Sequence, residues 1–584
     1  MNHFVPELRY QVSMPQPQSH YFEVRLQIQG WQGDDLALKF PVWTPGSYLV
    51  REYVRYLQDF TVSDGITQSR LTFQKVSKNH WQISTQSVEI INITYRIYAN
   101  DLTVRTNHLD DSHGFFTGAA LFFYIPGFEA CPLTLTVIPP APAWQIATVL
   151  PVKERDQATG VTTFHVPDFD TLVDSPVEVG LHHSHEFTVA AKSHHFVVWG
   201  SSHLDAQQLI QDTQKIIATE AGLFGGLPYD RYLFLLHLAH QGFGGLEHKN
   251  CCVLNYGRFG FRDPEKYQRF LQLVAHEFFH LWNVKRIRPI ALEIFDYDQE
   301  NYTPSLWFSE GTTSYYDLLI PLRAGLYDRQ TYLNNLGKEI TRYLTTPGRS
   351  VQPLAESSFD AWIKLYRRDA HSDNCQMSYY LKGELVTLLL DLLIRDRHQN
   401  RRSFDDVMRR MWTEFGQPEK GFTPEQLETI IAEVAGTDLT DFFQMALHST
   451  TELPLNDYLF PFGLKLQAVK EDLTPYLGIK VKSEAGHEKI SFVATQSPAA
   501  LAGISPQDEL LAIDGIRVNA EQLPQRLKDY QANDMIQVTV FHRDLLRTVD
   551  VQLAAPQASR YEVVLVADPS DAQLHNLAGW LGNA

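Results

Sequence analysis

The stretch from Asp263 to Leu281 constrains this chain more than any other. Asp263 can cap a helix, Pro264 suits its first position, and Glu265 favours the positive end of the helix dipole. Tyr267, Phe270, Leu271, Val274, Phe278 and Leu281 then form one apolar stripe at helical spacing, and His276 and His280 lie nearly opposite it. One face of this helix must enter a core, and the other needs polar surroundings. Two histidines four apart project their imidazoles to one side, close enough to share a zinc ion. Glu277 between them is placed to act on a water at that metal. The pattern belongs to metal-assisted peptide hydrolysis.

A chain of 584 residues is too long for a single core and predicts several domains. Residues 1 to about 180 read as β-rich: Tyr21–Gln27, Leu36–Phe40, Glu89–Tyr98 and Leu133–Ile138 alternate between Gly, Pro, Asn and Asp punctuation. From about 190 helices enter. Ala206–Leu223 is an amphipathic helix. Tyr232–Ala239 and Cys251–Asn255 read as strands joined by the Gly-rich loop from Gln241 to His248, which suggests an antiparallel sheet edge. A helix is expected from about Pro304, capped by Thr303, to Ile320, stopped by Pro321 and Gly325. Residues 330–450 are mostly helical, including Tyr379–Arg395 and Pro424–Ala435; a Pro-rich stretch near 452–463 marks a boundary, and 464–555 return to short strands.

The formal net charge of −18 is spread along the chain with no acidic run, which argues against nucleic acid or an anionic membrane as a main partner. No apolar run approaches the ~20 residues of a membrane-spanning helix. The N-terminal residues show no signal pattern, and Cys131, Cys251, Cys252 and Cys375 read as reduced thiols, so a cytoplasmic protein is expected.

A catalytic zinc needs a third protein ligand. Glu310, in Trp307-Phe-Ser-Glu-Gly311, sits within an expected helix, and Gly311 beside it suggests close approach of another element. Glu293, Asp296, Asp298 and Glu300 are rivals in an irregular segment. Glu277 is the expected general base. Either Tyr380 or Tyr379 could donate to the oxyanion that forms on the attacked carbonyl. Glu247, preceded by Gly244 and Gly245, could bind the α-amino group of a peptide or could simply be a solvated turn residue.

In this order these residues resemble the glycyl aminopeptidase family of zinc metallopeptidases, family M61, and more distantly the M1 aminopeptidases. Gly244-Gly-Leu-Glu-His248 resembles the M1 amine-binding loop, His276-Glu-Phe-Phe-His280 the zinc motif, Trp307-Phe-Ser-Glu-Gly311 the third-ligand motif, and Tyr380-x-Lys-Gly383 the catalytic-tyrosine motif. The run His280–Pro289, and Pro41-Val-Trp-Thr-Pro-Gly-Ser-Tyr48 with Arg51–Arg55, resemble M61 alone. Two departures from M1 stand out: residues 281–309 form a longer spacer, and His248 replaces a common Asn.

The resemblance implies a multidomain α+β protein: an N-terminal β domain (1–185), a thermolysin-like catalytic domain (186–330), a helical domain (331–455), a PDZ-like domain (456–560) and a tail (561–584). It implies Zn2+ on His276, His280 and Glu310, catalysis by Glu277 and Tyr380, amine binding by Glu247 and Gly245, and a preference for N-terminal Gly or Ala. In the PDZ-like part, Tyr476-Leu-Gly-Ile479 resembles the loop that holds a peptide C-terminal carboxylate, which points to Leu477, Gly478 and Ile479. That groove could equally be filled by the chain itself. A zinc endopeptidase, or a PDZ adaptor with a vestigial metal site, are the alternative readings.

Overall fold

The computed structural model describes residues 5–469 and 474–582. The chain divides into two compact units: one is Met1–Tyr302 with Arg323–Leu326 and Met408–Thr423, the other Thr303–Leu322 with Tyr327–Val407 and Pro424–Ala584.

The first unit begins with β structure. A seven-stranded sheet runs in the order Val152–Arg155, Thr162–Val166, Leu133–Ile138, Glu7–Ser13, Tyr21–Gln29, Ile90–Tyr98 and Leu57–Asp64. Glu7–Ser13 pairs parallel with Leu133–Ile138, and the other pairings are antiparallel. The alternation seen in sequence is the burial pattern: in Tyr21–Gln29, Phe22, Val24, Leu26 and Ile28 point into the core and their neighbours do not. Buried tyrosines there satisfy their hydroxyls on backbone, Tyr10 on Phe123 O at 2.8 Å and Tyr95 on Leu121 O at 2.9 Å.

A five-stranded sheet follows, in the order His183–Val189, Lys192–Trp199, Arg231–Ala239, Cys251–Gly257, Phe243–Glu247. Here the structure corrects the sequence. Arg231–Ala239 and Cys251–Gly257 are parallel, with Leu233 opposite Cys251. The Gly-rich stretch is not a loop but the edge strand Phe243–Glu247, antiparallel to Cys251–Gly257. The chain crosses to the edge and folds back, so the segment with the weakest strand pattern takes the outermost place. The helices Ala206–Phe224 and Pro264–Phe279 belong to this part; Phe278 meets the rings of Tyr232 and Phe234 at 5.0 and 5.8 Å.

In the second unit, Trp307–Gly311 is a π-helical turn that runs into the α-helix Thr312–Arg323. Pro321 lies inside that helix, near its C-terminal end, rather than stopping it. Helices Arg329–Thr345, Tyr379–His398 and Pro424–Ala435 build the helical core. The C-terminal tail is integral to this unit: Tyr561–Leu565 pairs with Leu464–Ala468, and in the helix Asp571–Leu581 the Trp580 indole donates to Tyr315 Oη at 3.2 Å.

The PDZ sheet, in the order Ile479–Glu484, His487–Val493, Glu509–Ile513, Met535–His542, Leu545–Gln552, packs around Ile490, Leu510, Ile513, Ile536 and Val538. Asn374 ties it to the helical part: its amide donates to Val493 O and its carbonyl accepts from Thr495 N, both at 2.9 Å. Among the described residues, no helix is long and apolar enough to cross a membrane, and the four cysteines are free.

Candidate active site

The helix Pro264–Phe279 starts as its sequence requires. The Asp263 side chain accepts from the N–H of Glu265 at 3.0 Å and of Lys266 at 3.4 Å. Phe270, Leu271, Val274 and Phe278 are buried, which fixes the direction in which the opposite face presents His276, Glu277 and His280. Nδ1 of His280 lies 2.7 Å from the carbonyl oxygen of Asn283, so it carries the proton and Nε2 presents a lone pair. That Nε2 is 3.1 Å from Nε2 of His276, with the rings at 85°. Two nitrogens converging on one point form the donor set that a divalent cation needs.

The loop after the helix is held from below. Lys285 Nζ lies 2.6 Å from Asp174 Oδ1. Arg286 donates to Leu281 O, Lys249 O and the Asn250 side chain at 2.9, 2.8 and 3.0 Å. Burial alone would raise the Asp174 carboxyl, but the Lys285 ammonium and His248 beside it hold it well below the usual carboxylate range. Through these contacts the basic run Lys285-Arg286 anchors the loop. His248 is likewise engaged with Asp174, at 3.1 Å.

Glu247 ends the edge strand. It is 4% exposed, and its Oε1 has no hydrogen-bond partner among the described residues. One carboxylate oxygen of Glu247, one of Glu277 and a ring nitrogen of His280 lie within 4.8 Å of one another. Two carboxylates that close repel unless a cation joins them. Gly245 makes the room: a Cβ there would fall 2.2 Å from Glu277 Cδ. Its carbonyl accepts from Arg105 Nη2 at 3.2 Å. On the other side of Glu247 stands Gly46, in a turn of the N-terminal β domain that the sequence reading marked but gave no role.

In the second unit, Glu310 is buried within the π-helical turn. The glycine beside it is required by contact, since a Cβ on Gly311 would lie 2.5 Å from Gly383 Cα. Tyr366 Oη is 2.9 Å from Tyr379 Oη and 3.0 Å from Tyr380 Oη. Tyr379 is fully buried and Tyr380 half-buried. Burial raises the Tyr380 phenol well above its ordinary value, and the Glu310 charge raises it further, so it stays protonated as a donor. Three rival carboxylates have structural partners: Asp298 pairs with Lys39 at 2.6 Å, Asp296 accepts from Asp298 N at 2.9 Å, and Glu293 accepts from Gly421 N at 2.8 Å.

Sequence reasoning missed Glu220. It is fully buried on the helix Ala206–Phe224, with neither carboxyl oxygen hydrogen-bonded among the described residues. Burial pushes its pKa well up, opposed by the nearby charge of His276. The signal was there: Thr213, Ile216, Ile217 and Glu220 share one helical face, and a glutamate there is out of place.

The Peptidase M61 N-terminal domain family matches residues 9–181, the M61 glycyl aminopeptidase family residues 269–386, and the PDZ domain family residues 475–553. A crystal structure of an aminopeptidase N family protein from Idiomarina loihiensis matches with a TM-score of 0.92 at 30% identity, over 98% of this chain and 100% of that one. An M1 zinc metallopeptidase from Deinococcus radiodurans matches with a TM-score of 0.49 at 13% identity, over 77% of this chain and 95% of that one. No curated protein matches the sequence.

Proposed function

Because this chain belongs to the M61 glycyl aminopeptidase family, and is therefore a peptidase of the metallo-aminopeptidase type, we propose that it removes small N-terminal residues, Gly or Ala, from peptides with a free amino group. The observation that carries this reading is the juxtaposition of Glu247 with Glu277 and His280. A buried carboxylate whose Oε1 has no hydrogen-bond partner among the described residues, set beside the proposed general base, suits a substrate ammonium and places the first peptide bond within reach of the chemistry.

His276, His280 and Glu310 are the proposed zinc ligands. The converging ring nitrogens, with the His280 tautomer fixed by Asn283, support this, as does a buried Glu310 held in a rigid turn. Zinc bound there would supply Lewis-acid polarisation of the carbonyl and of a water. Glu277 takes the proton of the attacking water and passes it to the leaving amine. Tyr380 donates its phenolic hydrogen to the oxyanion; Tyr366 orients it. Glu247 holds the ammonium, and Gly245 leaves space for the Glu277 carboxylate.

The PDZ domain is proposed to take a peptide C-terminus at Leu477, Gly478 and Ile479. Strand Ile479–Glu484 lies at the end of its sheet, paired on one side only among the described strands, and Gly478 adopts a φ of +86°. An added strand fits such an edge.

The test compares an alanyl amide with its N-acetylated form, with and without a chelator. Hydrolysis of the free amine alone, abolished by chelation, is expected. Equal cleavage of the blocked substrate would favour an endopeptidase and remove the amine-anchor reading.

A further inference from the structure

A small cavity lies against Glu247, lined by Trp43, Tyr48, Val284 and Phe295 and also by the basic Lys285 and Arg288. It has room for about one water or one methyl group. Its walls are stiff. The Trp43 indole donates to Asp296 O at 2.7 Å and packs edge-on against Phe295 at 5.8 Å. Trp43 and Tyr48 are buried.

Val284 is the unusual member. Its φ is +117°, a region that branched side chains rarely adopt and one where glycine would be at ease. The strain has a visible cause. The preceding carbonyl, of Asn283, accepts from His280 Nδ1, and the following Lys285 is fixed on Asp174. Between these two anchors the backbone must turn sharply. That a valine rather than a glycine stands at this point means the side chain does something for which the strain is tolerated. It fills one wall of the cavity beside the unpartnered carboxylate of Glu247.

We propose that Val284, with Trp43 and Tyr48, gauges the first side chain of the substrate. The inference rests on the reading of Glu247 as the amine anchor. With the ammonium on Glu247, the Cα beside it directs its substituent into this cavity. A hydrogen or a methyl fits, and an isobutyl group does not. Val284 is thus a specificity-determining residue at a backbone angle that glycine would suit.

The experiment measures kcat/KM for glycyl, alanyl and leucyl amides with the full-length zinc-loaded enzyme, as wild type, Val284→Gly, Val284→Ala and Val284→Leu. Val284→Gly and Val284→Ala are expected to raise the leucyl-to-alanyl ratio roughly tenfold or more, and Val284→Leu to lower the alanyl-to-glycyl ratio by a similar factor, the scale set by one or two methylenes in a pocket. Val284→Gly also removes the strained φ, so its Tm should not fall as that of Val284→Ala does. If the wild type cleaves free-amine amides and both ratios stay unchanged in every folded variant, the gauge is overturned while the amine anchor stands. A wild type without activity on any of the three overturns the anchor, and the gauge with it.

Discussion

Gly46 and Glu247 come from different domains of the first unit and leave no space between them: a Cβ on Gly46 would lie 2.5 Å from Glu247 Oε1. Gly46 also holds a φ of +83°. The turn from Trp43 to Tyr48 therefore presses its backbone onto the proposed amine anchor, so on this reading the N-terminal β segment walls part of the proposed site.

Gly46→Ala should disturb the anchor first and the fold second. The added methyl must displace the carboxylate, and an alanine in the left-handed region costs roughly 1–2 kcal/mol of stability. KM for an alanyl amide is expected to rise about tenfold or more, with a smaller change in kcat. Steady-state kinetics beside a thermal melt check both parts.

Glu247→Gln keeps the shape of the side chain and removes its charge. A hydrogen bond to a charged partner is worth about 1.5–3 kcal/mol, so kcat/KM for free-amine substrates should fall roughly 10- to 100-fold. Zinc content should not change, because Glu247 is outside the proposed ligand set. Kinetics and elemental analysis on one preparation separate the two effects.

Gly311→Ala tests the packing that fixes Glu310. Its Cβ would meet the Gly383 backbone, which cannot swing aside as a side chain can. A loss of about 1–3 kcal/mol is expected by urea denaturation.

Acidification should destabilise the fold through buried imidazoles. His194 is fully buried, 3.0 Å from Lys192 O through Nδ1 and 2.7 Å from Tyr229 Oη through Nε2; burial pulls its pKa from 6.5 down to about 4. The unfolded chain takes up the proton first, so stability is whole above pH 6.5 and is lost progressively as pH falls toward 4. His113 and His182 are shifted downward by burial too, and add with the same sign. The His194 part is on the order of 3 kcal/mol. Unfolding free energy followed from pH 7 to 4 should fall less steeply in His194→Gln than in wild type.

The helix Pro264–Phe279 was legible because everything that defines it is local: a cap, a proline, and a stripe at one period. Strand order was not legible. Alternation says which face of a strand is buried but not which neighbour it takes, so the parallel pairing of Arg231–Ala239 with Cys251–Gly257 escaped, as did the placing of Phe243–Glu247 outside them. Gly311 could be read as a close-contact glycine because a helix disfavours glycine, but its partner Gly383 could not be named. Gly46 and Val284 were hidden for a related reason: their meaning lies in contacts and in a backbone angle that no local pattern announces. In the C-terminal segment, expected from sequence only as a tail, the cap of Ser570 with Gln573 and the buried triplet Leu577, Trp580 and Leu581 mark a helix.

In the proposed mechanism Glu277 acts as the base beside a metal held by other residues. The decisive measurement is zinc content and alanyl-amide turnover together in Glu277→Gln. One zinc per chain, as in wild type, is expected, with turnover reduced about 10³-fold. Undiminished turnover in zinc-replete Glu277→Gln protein would contradict it.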